Sequence, residues 1–262
     1  MQFRLNNNGN PLPSIREPTD DFSFHIKDSK ACIIVVHEVW GVDLHIKRVC
    51  KRLSKLGFST AAPDLYSRNK RLFTSENIRQ AIINLWHLPL KERYDQKKVM
   101  QILEQKHASR KIIELTTTLY NKRFRESMLQ DLTSCAEYIA SRYKKAGVVG
   151  FSMGGGLSFK LAARFPKLES CISFCGEPPE TQELQKITTP ILAIYAGQDE
   201  FMNSRVPEFV GDTLKQNKDL TLKIYPHAKH EFFNEMNKND YNREAATDSW
   251  KIAEDFLIRT MT

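Results

Sequence analysis

Short apolar runs alternate with stretches of helical periodicity along most of this chain. The run ACIIVV (31–36) is apolar throughout, which is typical of a strand buried on both faces of a parallel sheet. The next apolar positions recur at helical spacing: Ile46, Val49, Leu53 and Leu56. Gly57 ends that helix, and FSTAA (58–62) predicts a second strand. This order indicates a parallel sheet with right-handed crossovers, whose ligand sites lie beyond the carboxyl ends of the strands.

The second half of the chain repeats the alternation. A helix is predicted from about Met128 to Lys144, and the apolar pair at 148–149 follows it. Further strands are predicted at residues 172–176, 190–197 and 220–226, and a last helix contains Ala245, Trp250, Ala253, Phe256 and Leu257. Residues 22–26 alternate as a short edge strand would. The pattern therefore predicts an α/β fold with a mostly parallel central sheet flanked by helices.

Residues 67–122 interrupt the alternation with a strongly charged stretch of helical periodicity. A first helix begins at Ser75 and ends near Pro89, and a second helical segment covers about 90–120. The apolar face of the first helix consists of Ile78, Ile82 and Trp86. No strand pattern separates the two segments, so we predict a helical insertion in a single domain spanning 1–262. A lid over the site, a structural buttress and a dimer surface are all open interpretations of this insertion.

Composition narrows the class of protein. Hydrophobic residues make up 41% and charged residues 27% of the 262 positions, as in ordinary soluble globular proteins. The net charge is +8, but the basic excess lies mixed with acids between Arg68 and Arg125, which favours a solvated face over a nucleic-acid-binding surface. No apolar run approaches the roughly 20 residues that span a bilayer, and the N-terminus has no signal-peptide core. We expect a cytoplasmic protein with no nucleic-acid or membrane partner.

The cysteines give no metal or disulfide pattern. They are five in number and scattered: Cys32, Cys50, Cys135, Cys171 and Cys175. No Cys-x-x-Cys spacing occurs among them, so we predict reduced thiols in the core.

The segment GFSMGGG (150–156) is the strongest candidate for chemistry. It lies between the apolar pair at 148–149 and a helical stretch, which predicts strand, sharp turn and helix, with Ser152 at the apex of a G-x-S-x-G turn. Such a serine has a strained backbone, and its hydroxyl projects above the sheet at the positive end of the helix dipole. The same pattern also suits a tight connection without chemistry, so its partners decide the matter.

A nucleophilic serine needs a base within hydrogen-bonding reach, and a carboxylate must orient that base. Ser152, Asp199 and His230 each follow an apolar strand, in the order nucleophile, acid, histidine that α/β-hydrolases use. Glu200 competes with Asp199 for the acid role, and His227 competes with His230 for the base role. This mechanism requires no metal and no organic cofactor.

Five segments carry a family resemblance: VVHEVWG (35–41), APDLY (62–66), GFSMGG (150–155), GQD (197–199) and YPHAKHEF (225–232). With them the chain resembles the dienelactone hydrolase family of the α/β-hydrolases. The resemblance implies an α/β-hydrolase fold with Ser152 as nucleophile, His230 as base and Asp199 as its orienter. It also implies an oxyanion hole formed by the backbone N–H groups of Val39 and Met153.

Two departures from the family pattern affect the expected chemistry. Family members that open dienelactones look to have a cysteine in place of Ser152, and the glutamate matching Glu38 interacts with its thiol. An alcohol is far less acidic than a thiol, so Glu38 cannot ionise Ser152. We assign Glu38 an auxiliary role in hydrogen bonding or in placing a water, and a structural loop carboxylate is the alternative.

The second departure concerns the substrate. Dienelactone-specific members hold the substrate carboxylate with an arginine shortly after the histidine, where this chain has EFFN (231–234). Trp40 and Phe233 flank the site in sequence and suit contact with an apolar acyl group, although aromatic residues there also suit the core.

We therefore predict a serine hydrolase, a monomer or homodimer, that cleaves small carboxylic esters or lactones through an acyl-enzyme. The alternatives are a catalytically silent binding protein acting through the basic helical segment, and a hydrolase of thioesters or peptides. Labelling by a fluorophosphonate separates the first alternative from the enzymes, because an activated serine reacts quickly with the probe.

Overall fold

A seven-stranded sheet forms the centre of the protein in this computed structural model, which describes residues 23–24, 29–85, 88, 92 and 95–262. Its strands are β1 (Ser23–Phe24), β2 (Ala31–Val36), β3 (Ser59–Ala61), β4 (Lys145–Phe151), β5 (Ser170–Phe174), β6 (Ile191–Ala196) and β7 (Leu220–Tyr225). In space they follow the order β1-β3-β2-β4-β5-β6-β7. Strand β1 pairs antiparallel with β3, and the other neighbours are parallel. The predicted mostly parallel sheet is confirmed; residues 22, 25 and 26 of the predicted edge strand lie outside the described residues.

Helices cover both faces of the sheet. They are α1 (Leu44–Lys55), α2 (Ser75–Leu85), α3 (Gln96–Gln105), α4 (Arg110–Tyr120), α5 (Lys122–Ala140), α6 (Met153–Arg164), α7 (Thr181–Lys186), α8 (Glu200–Asn203), α9 (Val206–Lys215) and α10 (Arg243–Met261). The odd-numbered residues of β2 pack with α1 and α10, and its even-numbered residues pack with α5, α6 and α9. Because successive strand side chains point to opposite faces, a strand buried on both sides must be apolar throughout, as β2 is.

The stretch at 67–122 is helical among its described residues, and its apolar faces join the cluster on the α5 side of the sheet. One predicted detail is wrong: the second helical segment is two helices, α3 and α4. The chain turns between them at His107, whose φ is +51°. Residues 86, 87, 89 and 90, which the prediction also used, lie outside the described residues.

The helix predicted from about Met128 begins earlier, at Lys122, and ends at Ala140 rather than Lys144. The Asn121 side chain caps it by accepting hydrogen bonds from two backbone N–H groups of the first turn. Three of its first four residues, Lys122, Arg123 and Arg125, are basic and exposed, so apolar periodicity alone does not reveal this turn.

The described cysteines are free and buried, as the sequence predicted. No helix among the described residues has the length and apolar character needed to cross a membrane.

Candidate active site

Three side chains that are distant in sequence meet at the carboxyl edge of the sheet. Ser152 directly follows β4, Asp199 follows β6, and His230 lies in the loop after β7. The Ser152 Oγ lies 2.7 Å from His230 Nε2, and His230 Nδ1 is hydrogen-bonded to the Asp199 carboxylate. A carboxylate only accepts, so Nδ1 carries the proton and Nε2 is free to accept the hydroxyl proton of Ser152. The predicted nucleophile, base and acid therefore form one hydrogen-bonded chain.

The turn that presents Ser152 is strained in the way the motif predicts. Ser152 has φ +50° and ψ −115°, a backbone conformation that residues other than glycine rarely adopt. A Cβ atom on Gly150 would lie 2.1 Å from the carbonyl oxygen of Gly154, and one on Gly154 would lie 2.3 Å from that of Val36. Gly150 must be glycine for β4 and α6 to approach this closely, and Gly154 must be glycine for α6 to lie this close to the end of β2.

Burial separates the candidates for the acid and the base. Asp199 is 4% exposed and caps α8, where its Oδ1 accepts the Met202 N–H at 3.4 Å while Oδ2 accepts from His230. Glu200 and His227 are exposed. The structure brings Asp199 and His230 to Ser152, and it leaves their rivals in the same loops at the surface.

The loop after β2 is held close to the start of α6. His37 is fully buried; its Nε2 accepts the Leu65 N–H at 3.2 Å, so its Nδ1–H donates to the Glu38 carbonyl at 2.6 Å. Burial lowers the pKa of His37, which agrees with a neutral imidazole in this position. The Gly41 N–H donates to the Glu38 carbonyl at 3.1 Å, which closes a turn around Val39.

Tyr66 links Val39 to Met153, the two predicted oxyanion-hole residues. Its hydroxyl donates to the Val39 carbonyl at 3.0 Å and lies 3.9 Å from the Met153 sulfur. The Tyr66 ring stacks on Phe73 at 4.3 Å between centroids, and Phe73 stacks on Phe124 at 5.2 Å. Met153 opens α6, and the first N–H groups of a helix have no acceptor within it. An oxyanion hole formed by the backbone N–H groups of Val39 and Met153 stays a prediction. Tyr66 ends the APDLY segment (62–66), but no role in the site was predicted for it.

Glu38 is buried beside Ser152. Its Oε1 accepts the Asn234 amide N–H at 3.0 Å, and His45 Nε2 lies 3.7 Å from the same oxygen. Burial raises the pKa of Glu38 well above its usual value, and the charges of Glu231 and Asp43 add to this effect. The hydrogen bond from Asn234 opposes the shift but is weaker. Burial in this place therefore shifts Glu38 toward its neutral form.

The two aromatic residues predicted to contact substrate take different positions. Phe233 lines the cleft at Ser152 and stacks against Phe151 and Phe174. Trp40 is hydrogen-bonded to Glu231: its indole N–H donates to Glu231 Oε1 at 3.1 Å, while the Asn237 amide donates to Oε2 at 2.7 Å.

A small cleft opens at Ser152. It encloses about 240 Å³, including space open to solvent, and its walls combine phenylalanine rings with Glu38, Glu231 and Asn234. Within the described part of the chain, one set of possible metal ligands occurs here: Cys175, Asp199 and His230, whose ligand atoms lie within 4.8 Å of one another. Two of these three already belong to the hydrogen-bonded chain at Ser152.

The chain is similar to known proteins over most of its length. The model of the dienelactone hydrolase family matches residues 24–261. A protein of Saccharolobus solfataricus named "Putative carboxymethylenebutenolidase" is 37% identical over 235 residues, covering 89% of this chain and 91% of that protein. One of the same name from Aquifex aeolicus is 27% identical, covering 86% of each.

Solved structures share the fold. A dienelactone hydrolase from Klebsiella pneumoniae, described as "putative", superposes with a TM-score of 0.65 at 20% identity and covers 89% of both chains. A "Dienelactone Hydrolase-like" promiscuous phosphotriesterase from metagenomic libraries superposes with a TM-score of 0.60 at 16% identity, covering 88% of this chain and 86% of that one. At these identities the likeness shows the α/β-hydrolase fold alone.

Proposed function

The chain belongs to the dienelactone hydrolase family, and from this premise we propose that it is a serine hydrolase that cleaves small carboxylic esters or lactones through an acyl-enzyme. The observation that carries the proposal is the continuous hydrogen-bonded chain from Asp199 through His230 to Ser152. Strained serines of this kind persist where the surrounding structure imposes them, and they cluster at active sites. The strained backbone of Ser152 therefore favours an enzyme over a catalytically silent binding protein.

The mechanism follows from the hydrogen bonds. Ser152 Oγ attacks the carbonyl carbon of the ester, and its proton passes to His230 Nε2. The Asp199 carboxylate stabilises the imidazolium that forms, and the N–H groups of Val39 and Met153 receive the negative charge on the carbonyl oxygen. The intermediate collapses when Nε2 returns the proton to the leaving alcohol, which produces the acyl-enzyme.

Hydrolysis of the acyl-enzyme repeats these steps with water. His230 Nε2 takes a proton from water, the hydroxide attacks the acyl carbon, and the proton then returns to Ser152 as the acid leaves. The two stages together consume one ester and one water and produce one alcohol and one carboxylic acid. Glu38 has no part in proton removal from Ser152, because an alcohol is far too weak an acid for a carboxylate to ionise, and it remains an auxiliary hydrogen-bonding group in this proposal.

The cleft supports a small substrate. Its empty space is about 240 Å³, and this figure includes space open to solvent. Phe151, Phe174 and Phe233 offer it apolar walls, which suit a short acyl chain better than a peptide.

A fluorophosphonate probe and a short p-nitrophenyl ester test the proposal together. We expect rapid labelling and turnover by the natural protein, and loss of both in Ser152→Ala. His230→Asn should lower turnover at least about 10³-fold, whereas the matched variant His227→Asn should retain it. A protein that neither reacts with the probe nor cleaves esters would support the silent alternative, and a panel of thioesters and peptides beside the ester tests the other one.

A further inference from the structure

Carboxyl groups and aromatic rings form the described walls of the cleft at Ser152. Two of the residues that line it are glutamates, Glu38 and Glu231, and four are phenylalanines. None of these lining residues is lysine or arginine. A substrate carboxylate would meet no cation on these walls.

The nearest donors are directed to the protein's own acids. The Asn234 amide N–H donates to Glu38 at 3.0 Å, and Glu231 accepts from the Trp40 indole and the Asn237 amide. A substrate carboxylate needs several such donors to replace its hydration. In this cleft they already serve Glu38 and Glu231.

Three arginines elsewhere in the described structure are paired with acids in the same way. Arg68 forms a salt bridge with the buried Asp131. Arg205 contacts two glutamates at 2.9 and 2.8 Å, and Arg48 lies 2.9 Å from Glu235. To bind a substrate carboxylate, each of these guanidinium groups would have to leave an acid of the protein.

Glu38 shows what the cleft does to a carboxyl group. Burial and the neighbouring charges of Glu231, Asp43 and Glu235 all raise its pKa, and the hydrogen bond from Asn234 does not offset them. A carboxylate carried in by a substrate would lose water and face Glu231 in the same space. Unlike Glu38, which accepts a hydrogen bond from Asn234, the substrate carboxylate would have no such donor reserved for it.

We propose that this site takes uncharged acyl groups and rejects acyl groups that bear a carboxylate, with Glu231 as a specificity-determining residue. The inference rests on the proposed ester hydrolysis. It assigns the chain a substrate class that differs from the carboxylate-bearing lactone in the names of its relatives.

Two p-nitrophenyl esters of equal acyl length test the inference: the pentanoate, which is neutral, and the monoglutarate, which ends in a carboxylate. We expect kcat/KM to favour the pentanoate at least about tenfold at neutral pH, the order expected for two like charges in one partly buried cleft. In Glu231→Gln this ratio should shrink severalfold. The control Glu235→Gln should change it much less, because Glu235 is paired with Arg48 and, of the three acids that raise the pKa of Glu38, has the smallest effect.

The outcomes separate the two proposals. Equal turnover of the two esters, or preference for the glutarate, with normal fluorophosphonate labelling overturns the neutral-acyl inference and leaves the serine hydrolase intact. Loss of ester turnover and of labelling in the natural protein overturns both. The ratio in the natural protein decides the inference even where Glu231→Gln does not fold.

Discussion

Replacing Asp199 with asparagine removes one charge and keeps the shape of the site. Oδ1 accepts the Met202 N–H, so the amide oxygen of asparagine should stay there and its NH₂ group should face His230. An NH₂ group donates, and His230 would then have to present Nδ1 as an acceptor and keep its proton on Nε2. The base would point its proton at Ser152 instead of receiving one.

The size of the effect follows from the lost charge. His230 becomes an imidazolium in the transition state, in direct hydrogen-bonding contact with an acid that is 4% exposed. At a separation of about 2.8 Å and an effective dielectric constant of about 20, the attraction is about 6 kcal/mol. Each 1.36 kcal/mol is tenfold in rate, so we expect kcat/KM of Asp199→Asn to fall about 10⁴-fold.

The assay is steady-state hydrolysis of p-nitrophenyl pentanoate, with circular dichroism to confirm folding. Glu200→Gln is the matched control: it removes a neighbouring charge that is exposed, and it should retain nearly full turnover. Retention of more than about a tenth of the natural activity by Asp199→Asn would refute the reasoning. An equal loss in Glu200→Gln would refute the choice of Asp199 over its neighbour.

Four further substitutions test the surrounding structure. Glu38→Gln keeps an acceptor for the Asn234 amide and removes a carboxyl group whose pKa is raised by burial. The contribution of Glu38 to the free energy of unfolding is fully present below the unfolded pKa of about 4.5, and it is lost as the pH rises through the folded pKa. Thermal denaturation should therefore show a higher Tm for Glu38→Gln at pH 8 and no difference near pH 4, and a constant offset contradicts this account. Gly154→Ala should yield little folded protein, because its Cβ would lie 2.3 Å from the Val36 carbonyl oxygen. Gly211 lies on α9, and a Cβ atom there would have no neighbour within 4 Å. Gly211→Ala should therefore unfold at a higher denaturant concentration, with a gain in the free energy of unfolding of up to about 1 kcal/mol. Similar behaviour of Gly154→Ala and Gly211→Ala would contradict the packing argument. Tyr66→Phe keeps the ring stack but loses the hydrogen bond to Val39, so kcat should fall about fivefold with little change in KM, and an unchanged kcat would separate Tyr66 from the reaction.

The sheet and the chain of three side chains could be predicted because their signals are local. A strand such as β2 must be apolar at every position when both of its faces are covered, and parallel strands bring their carboxyl ends to one edge. Residues that follow three different strands therefore meet without further information. This reasoning brings Ser152 together with the segments that contain Asp199 and His230, but it does not exclude Glu200 and His227, which follow the same strands.

The walls of the cleft depend on contacts that no local pattern encodes. Trp40 and Glu231 are 191 positions apart, and no local pattern predicts the hydrogen bond between them; substrate contact by Trp40 stays a prediction. Glu38 and Asn234 are 196 positions apart. The break at His107 was missed for another reason: charged residues continue across it, and apolar periodicity does not register a change of direction in an exposed turn.

The stack of Tyr66, Phe73 and Phe124 connects the helical insertion (67–122) with the loop that contains Val39. Phe73 lies within the insertion, and Tyr66 reaches from that stack to the loop of Val39. A shortened version of the protein, with residues 67–122 replaced by a linker, would leave Tyr66 without the ring against which it rests. Engineers who wish to trim this chain should therefore retain Phe73 or supply another flat surface in its place.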